Sequence, residues 1–192
     1  MHRLKYLTVY LLPISTIIAL SASGWWTWLP VGLFFILLPA LELILPVDRA
    51  NFAEKIASDE KNEKLYDWLL YAAAPIQIAV LIYFLVVIQN TAFGTLEYWG
   101  RLVSMGMMCG VLGINVGHEL GHRHSRLEQL LGEILLLTSL NTHFLPYHNG
   151  GHHLNVATPK DPATARKNQL LYTFWFTSHF KSYWQAWVLE NK

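Results

Sequence analysis

Residues 65–89 of this chain read LYDWLLYAAAPIQIAVLIYFLVVIQ, and Asp67 is the one charged residue among them. A helix that crosses a membrane needs about 20 consecutive, mostly apolar residues, so this stretch is long enough to span a bilayer. Three more apolar segments lie around it, at residues 6–22, 25–47 and 98–116. The sequence therefore predicts an all-α fold, a single membrane domain over residues 1–192 built as a bundle of four transmembrane helices.

The composition of the whole chain supports a membrane protein. Of its 192 residues, 53% are hydrophobic and 14% are charged, with a mean hydropathy of +0.29, which is too apolar for an ordinary soluble domain. The 14 basic and 13 acidic residues give a net charge of +1, so the chain lacks the strongly basic surface of a nucleic-acid-binding protein. The single cysteine, Cys109, excludes a disulfide within the chain and a paired-cysteine metal site.

Basic residues are distributed unevenly around the apolar segments. The connection between the first two segments and the turn at residues 93–99 contain no lysine or arginine. By contrast, basic residues occupy the N-terminus and the loop between the second and third segments: Arg3, Lys5, Arg49, Lys55, Lys61 and Lys64. Because cytoplasmic loops carry an excess of basic residues, both termini and this middle loop are expected in the cytoplasm. The fourth helix then delivers the residues after 116 to the cytoplasmic membrane surface.

Two histidine-rich strings follow the last apolar segment, HELGH at residues 118–122 and HNGGHH at residues 148–153. On a helix, His118 and His122 lie one turn apart on the same face, so both can reach one metal ion. His148 and His152 repeat this spacing if the glycines between them bend tightly within a helix, and a plain loop is the alternative. With His153, these five histidines are the candidate metal ligands of a cytoplasmic-side cluster.

Other interpretations of the histidines stay open at this point. The first string matches HExxH, the zinc-peptidase pattern in which Glu119 would act as general base. A zinc hydrolase uses three protein ligands, so five clustered histidines favour more than one ion. A metal-transporting membrane protein is a third, non-catalytic interpretation. The candidates for hydrogen bonds that orient the ligands are Glu119, Asn115, Asn149 and His143, whereas we expect structural roles for His2, His124 and His179.

The remaining segments are expected to lie at the membrane surface. Residues 127–140 are apolar at helical spacing but too short to cross and return, which predicts a partly buried or interfacial helix. Residues 158–162, TPKDP, are expected to form a turn because each proline restricts the backbone around it. An aromatic-rich helix is predicted from about Thr164 to the end of the chain.

Two longer strings are similar to those of a known family. HELGHR, from His118 to Arg123, and HFLPYHNGGHHLNVATPKDPATAR, from His143 to Arg166, resemble the integral-membrane alkane hydroxylases, the alkane 1-monooxygenase family. Its histidine boxes are similar to those of membrane fatty-acid desaturases and xylene-type monooxygenases. By this resemblance, His118 and His122 belong to the first box, and the second box contains His148, His152 and His153.

The resemblance implies a bacterial inner-membrane enzyme with two iron ions held by histidines. Such an enzyme hydroxylates the terminal methyl group of medium or long alkanes to primary alcohols, using O₂ and electrons from rubredoxin and its reductase. A membrane fatty-acid desaturase or a xylene-type monooxygenase is the nearer alternative, and the zinc peptidase is the more distant one. No residue is expected to be catalytic apart from the metal ligands.

The chain departs from the family pattern in three ways. Tyr147 stands where the family usually has glutamate at the head of the second box, and Arg123 stands where it favours lysine. We therefore expect altered contacts around the ligands. The later histidine boxes of the family are absent, so the chain is expected to be the N-terminal part of a longer protein, with an incomplete ligand set and possible loss of activity on its own.

Overall fold

The computed structural model describes residues 2–45 and 64–191, and the side chains of 6–45 and 64–191. The described residues form helices and no strand. In chain order, a 3₁₀ segment at His2–Tyr10 leads into α1 (Leu11–Ser21), followed by α2 (Gly24–Ile44), α3 (Lys64–Gln89), α4 (Leu96–Gly121), α5 (Arg126–Thr138), α6 (residues 144–155) and α7 (Leu171–Glu190). The prediction of an all-α fold is confirmed.

Three of these helices, α2, α3 and α4, are long and apolar enough to cross a membrane. The helix that contains α1, Tyr6–Ser21, is apolar but shorter, so a fourth span at residues 6–22 stays a prediction. The last residues of the predicted second span, 46 and 47, lie outside the described residues. The same is true of the basic loop residues Arg49, Lys55 and Lys61.

The core of the bundle lies between α1, α3 and α4. Leu12, Leu20, Met108 and Leu112 are each at most 2% exposed and belong to one apolar cluster. Away from the histidines, Arg101 connects the start of α4 to the ends of α1 and α3. Its guanidinium donates hydrogen bonds to the backbone carbonyl of Ala22 (2.8 Å) and to the hydroxyl of Thr91 (2.6 Å). These bonds give two of the three guanidinium nitrogens a partner and offset part of the cost of a charged group inside a membrane bundle.

Close backbone contact joins α4 to α5. A Cβ atom added to Gly132 would lie 2.8 Å from the carbonyl oxygen of Gly117 and 3.0 Å from the amide nitrogen of Gly121. Only residues without side chains allow two helices to approach this closely. Since Gly117 precedes the first histidine string and Gly121 lies within it, this contact fixes where that string lies relative to the rest of the bundle.

The surface segments were predicted with mixed success. The helix predicted at residues 127–140 is α5, and residues 158–162 are non-helical, as expected. The predicted start of the last helix at Thr164 was wrong, because α7 begins at Leu171. Asn168 has φ +63°, a left-handed conformation that an α-helix cannot contain. The Gln169 side chain also accepts the Arg166 amide hydrogen bond at 2.9 Å and stabilises a turn there.

Candidate metal centre

The first histidine string ends a long apolar helix. A π-helical segment at Cys109–Val116 precedes the α-helical turn Gly117–Gly121, and His122 is the C-cap of that turn. The wider π turn changes the direction in which the following side chains point, and such segments often occur at functional sites. His118 and His122 both contact His148 of α6.

The second histidine string is helical and forms part of α6. His148–His152 is a π turn between short α-helical turns at Phe144–Tyr147 and His153–Asn155. The imidazole rings of His148 and His152 stack with their centroids 5.1 Å apart and their planes 20° apart. The alternative of a plain loop between these two histidines was therefore wrong. The two glycines allow the turn to pack closely, since a Cβ on Gly151 would contact Tyr147 and Gln185.

Three imidazole nitrogens converge on one point. The Nε2 atom of His118 lies 2.8 Å from Nε2 of His148 and 2.7 Å from Nε2 of His122. The third side of the triangle, between His148 and His122, measures 3.2 Å. Among the described residues, these three form the group that could hold a metal ion. The structure thus brings together ligands that are 30 residues apart in the sequence.

The triangle formed by the Nε2 atoms of His118, His122 and His148 is explained better by a bound cation than by hydrogen bonds between the rings. Each Nε2 carries either one hydrogen or one lone pair, so protons cannot satisfy all three contacts at once. A cation at the centre accepts three lone pairs. Nitrogens that bind one ion at about 2.0–2.1 Å lie about 2.9 Å apart at right angles and about 3.3 Å apart at the tetrahedral angle. The observed spacings of 2.7–3.2 Å lie close to these values.

The two remaining predicted ligands lie beside this triangle. The His153 ring contacts the rings of His148 and His122, with centroid distances of 4.5 and 5.1 Å. The His152 ring contacts the rings of His148 and His153, at 5.1 and 5.9 Å. All five predicted histidines therefore belong to one cluster of imidazoles, with three nitrogens already convergent and two rings at the edge.

An aspartate that sequence reasoning missed orients one of these rings. The Asp161 side chain is fully buried, and its Oδ2 lies 2.9 Å from Nδ1 of His152. The same carboxylate accepts hydrogen bonds from the Tyr147 hydroxyl (2.7 Å), the Thr164 hydroxyl (2.6 Å) and the Ala163 amide (3.0 Å). A carboxylate on one ring nitrogen fixes the tautomer and leaves the other nitrogen free for a metal. The signal was available, because Asp161 lies in the DPATAR string, but residues 158–162 were interpreted only as a turn.

The electrostatics of the cluster favour the neutral form of His148. Burial, followed by the neighbouring His118, lowers the pKa of His148 to about 4, well below the ordinary histidine value. Burial would raise the pKa of Asp161, but the hydrogen bonds donated by Thr164 and Tyr147 outweigh it and hold that pKa below its usual range. A metal ligand must be an unprotonated imidazole, so this environment prepares His148 for metal binding near neutral pH.

The side chains predicted to orient the ligands have different contacts. Glu119 pairs with Arg123, whose Nη2 lies 3.0 Å from the carboxylate, and not with a histidine. Arg123 also contacts Asp67 of α3 at 3.4 Å. Asn115 and Asn149 are exposed, and neither makes a side-chain hydrogen bond within the described part of the chain. Within those same residues, Asp161 makes the contact that was predicted for Glu119.

His143 lies apart from the triangle and packs against α7. Its ring contacts His179 at a centroid distance of 5.6 Å and Tyr183 at 5.2 Å. Burial, followed by His179, lowers its pKa. His124 is exposed at the surface. Neither side chain is among the three whose nitrogens converge.

Comparisons with known proteins agree with this site. The fatty acid desaturase family matches residues 96–192, which include every histidine of the cluster. Alkane 1-monooxygenase 1 of Alcanivorax borkumensis is 32% identical over 182 residues, covering 94% of this chain and 45% of that protein. Alkane 1-monooxygenase of Ectopseudomonas oleovorans is 33% identical over 155 residues, covering 81% and 38%.

A more distant relative is named for a different substrate. The xylene/toluene monooxygenase hydroxylase component of Pseudomonas putida is 28% identical over 180 residues, which is 91% of this chain and 46% of that protein. The chain spans about half the length of these curated relatives. Since the family match covers α4 to α7 and the whole histidine cluster, the chain belongs to the fatty acid desaturase family.

Proposed function

We propose that this chain supplies the histidine cluster of a membrane alkane monooxygenase with a non-haem di-iron centre. The reaction would insert one atom of O₂ into a terminal C–H bond and reduce the other to water, with two electrons and two protons supplied from outside. The product is a primary alcohol. Rubredoxin and its reductase are the proposed electron source, and the bacterial inner membrane, with the cluster on its cytoplasmic side, is the proposed location.

The convergence of three Nε2 atoms carries this proposal. Imidazole is a good ligand for iron as well as for zinc and copper, and the similarity to alkane monooxygenases favours a redox-active ion such as iron. His118, His122 and His148 would hold the first ion, and His152 and His153 would contribute to a second one. Iron bound there supplies the O₂-activating redox chemistry that no side chain can provide.

The side chains of this chain have defined parts in that function. The hydrogen bond to Asp161 holds His152 in the tautomer whose Nε2 is free for a metal. Because His148 is neutral near pH 7, no proton competes with the metal for its ring nitrogen. Phe144 stacks on the His148 ring at 4.8 Å and packs edge-on against His118 at 5.2 Å, which excludes water from one side of the cluster.

An apolar cavity near the cluster is the proposed site for the alkane chain. It has a volume of about 360 Å³ and lies between the 3₁₀ segment, α3 and α4, with Tyr10, Leu69, Leu112 and Val116 among its lining residues. Val116 is two residues from His118 along α4. Such a cavity selects its ligand by the hydrophobic effect, because an alkane offers no polar group to bind.

Replacing one histidine of the triangle tests the proposal. In membranes from expressing bacteria, we expect the His118→Ala variant to lose most of its iron and its alkane hydroxylation, because two of the three convergent nitrogens cannot hold the ion. Iron per chain would be measured by mass spectrometry, and alcohol by gas chromatography. The matched control is His124→Ala, which removes an exposed imidazole six residues away. Wild-type iron content in the His118→Ala variant would contradict the proposal.

Glu119 separates this function from the zinc-peptidase alternative. Because its carboxylate is paired with Arg123, we expect Glu119→Gln to leave the iron content unchanged. In a zinc peptidase the same change would remove the general base and abolish proteolysis while zinc stayed bound. Finding one zinc per chain, with peptidase activity that depends on Glu119, would overturn the monooxygenase proposal. Product analysis after alkane feeding separates an alcohol from the alkene that a desaturase would form.

A further inference from the structure

A second cleft lies on the surface behind Asp161, between the loop at residues 157–169 and α7. Its volume is about 580 Å³. Four cationic side chains line it: Lys160, Arg166, Lys167 and Lys181. Asp161 is the one acidic side chain in that lining, so the walls carry a net charge of +3. In a chain whose total net charge is +1, this is a strong local concentration of positive charge.

These cations are not neutralised by neighbouring acids. All four are exposed, and none makes an ion pair within the part of the chain that the structure describes. The Asp161 carboxylate is buried and already accepts hydrogen bonds from Tyr147, Thr164, Ala163 and His152. Both of its oxygens are therefore already occupied by hydrogen-bond donors. Positive side chains gathered around a concave surface attract an anion.

The cleft is held in shape by its own hydrogen bonds. Ala157 has φ +64°, an unfavourable conformation for alanine, and its amide donates to the Thr164 hydroxyl at 2.9 Å. The Gln169 side chain accepts the Arg166 amide at 2.9 Å and donates to the Thr177 hydroxyl of α7 at 3.4 Å. These bonds connect the loop to α7, so the cations do not depend on a ligand for their arrangement.

The position of α7 indicates which anion the cleft meets. Its exposed side chains are largely aromatic and include Tyr172, Trp175, Phe176, Phe180, Tyr183, Trp184 and Trp187. Aromatic residues of this kind gather where lipid head groups meet water. Lys181 lies on the same helix and lines the cleft. Basic residues beside an interfacial helix are typical of sites that bind anionic lipid head groups.

We propose that this cleft binds the phosphate of an anionic phospholipid head group. A bound phosphate would connect Lys181 of α7 to the basic residues of the loop. The same loop carries Asp161, which orients His152, so lipid binding would stabilise the part of the chain that supports the cluster. The inference does not depend on the metal or on hydroxylation, and it can hold even where the proposed function fails.

Thermal unfolding of the protein in an uncharged detergent tests this proposal. Tryptophan fluorescence would follow unfolding while short-chain phosphatidylglycerol, phosphatidylcholine or inorganic phosphate is added. We expect phosphatidylglycerol to raise Tm, with phosphatidylcholine much weaker because its choline offsets the phosphate charge. In the Lys181→Gln variant, the apparent affinity for phosphatidylglycerol should fall about five-fold, and adding Arg166→Gln should lower it about five-fold again.

The matched control is Arg126→Gln, which removes an exposed cation at the start of α5, outside the cleft. This variant should bind phosphatidylglycerol within two-fold of wild type. Inorganic phosphate that matches phosphatidylglycerol would support the anion site but assign it to a soluble phosphate compound. Three results would overturn the proposal: no effect of either phosphate source, equal effects of the two lipids, or equal losses in the Arg126→Gln and Lys181→Gln variants. The proposal would also be overturned if the cleft bound an acidic protein but not phosphatidylglycerol.

Discussion

At the scale of single residues, Asp161 and Tyr147 form a hydrogen-bond chain that ends at the His152 ring. The Tyr147 hydroxyl donates to Asp161 at 2.7 Å, and Asp161 in turn contacts the His152 ring. Burial, followed by the hydrogen bond to Asp161, raises the pKa of Tyr147, so its hydroxyl keeps the proton that it donates. The tyrosine that departs from the family pattern therefore takes part in the site, as the expectation of altered contacts implied.

Replacing Asp161 should weaken metal binding without removing a ligand. In the Asp161→Asn variant, an amide nitrogen replaces one carboxylate oxygen, so either the His152 and Thr164 bonds or the Tyr147 and Ala163 bonds are lost. In both cases the negative charge beside His152 disappears. Partners of this kind typically contribute about 10- to 100-fold in metal affinity. Competition with an iron chelator would measure the loss. Asp67→Asn, which removes only a partly exposed ion pair with Arg123, is the matched control and should change affinity little. Equal affinities in the two variants would contradict this role.

At the scale of helices, the contact between α4 and α5 positions the first histidine string. Gly132→Ala would push a methyl group against the backbone at Gly117 and Gly121, and backbone atoms cannot move aside cheaply. We expect the free energy of unfolding to fall by about 1–3 kcal/mol. Iron content should fall as well, because His118 would move with α4. Thermal unfolding in detergent would measure the first effect and metal analysis the second.

Gly106→Ala is the control for that experiment. Gly106 lies within α4 but has open space where a Cβ would be, so its substitution meets no neighbour. Alanine favours helix over glycine by about 0.8–1.0 kcal/mol, so this variant should be as stable as wild type or slightly more stable. If both variants behaved alike, close packing of α4 on α5 would not be what holds the cluster in place.

At the scale of the whole molecule, the exposed apolar surface and the direction of α4 define the relation to the membrane. Side chains such as Phe35, Ile36, Leu43 and Ile44 of α2 are at least 68% exposed, which suits contact with lipid and not with water. The 26 residues of α4 extend about 39 Å, enough to cross the apolar core of a bilayer. If α4 crosses the bilayer, the turn at Phe93 and the histidine cluster lie at opposite membrane surfaces.

Thiol labelling would test which surface carries the cluster. In a Cys109→Ala background, we expect a membrane-impermeant maleimide to label the Phe93→Cys variant in intact spheroplasts. The His124→Cys variant should react only after the membrane is opened, because the uneven distribution of basic residues predicts a cytoplasmic cluster. Both positions are exposed, so accessibility within the protein does not limit the reaction. The reverse labelling pattern would place the cluster on the outer side.

The sequence was sufficient wherever the physical cause is local. Apolar length alone predicted α2, α3 and α4, because a helix is the structure that satisfies its own backbone hydrogen bonds in lipid. The spacing of His118 and His122 predicted a shared face, since one helical turn separates them. The histidine strings also identified the family. The start of α7 was missed because the Arg166 amide donates a hydrogen bond to the Gln169 side chain and Asn168 has a left-handed backbone, so residues 166–169 form a turn and not a helix.

What the sequence determined by itself is the chemistry of the site, that is, a group of imidazoles after an apolar helix in a membrane protein. The tertiary structure decided which of them meet. Gly117 and Gly132 bring α4 against α5, and the fold of α6 then places His148 within 3.2 Å of the other two nitrogens. The tertiary structure also places the carboxylate of Asp161 within hydrogen-bond distance of His152, whereas that of Glu119 pairs with Arg123. The meeting of His148 with His118 and His122 joins residues that are 26 to 30 positions apart in the chain, and no local pattern of residues encodes it.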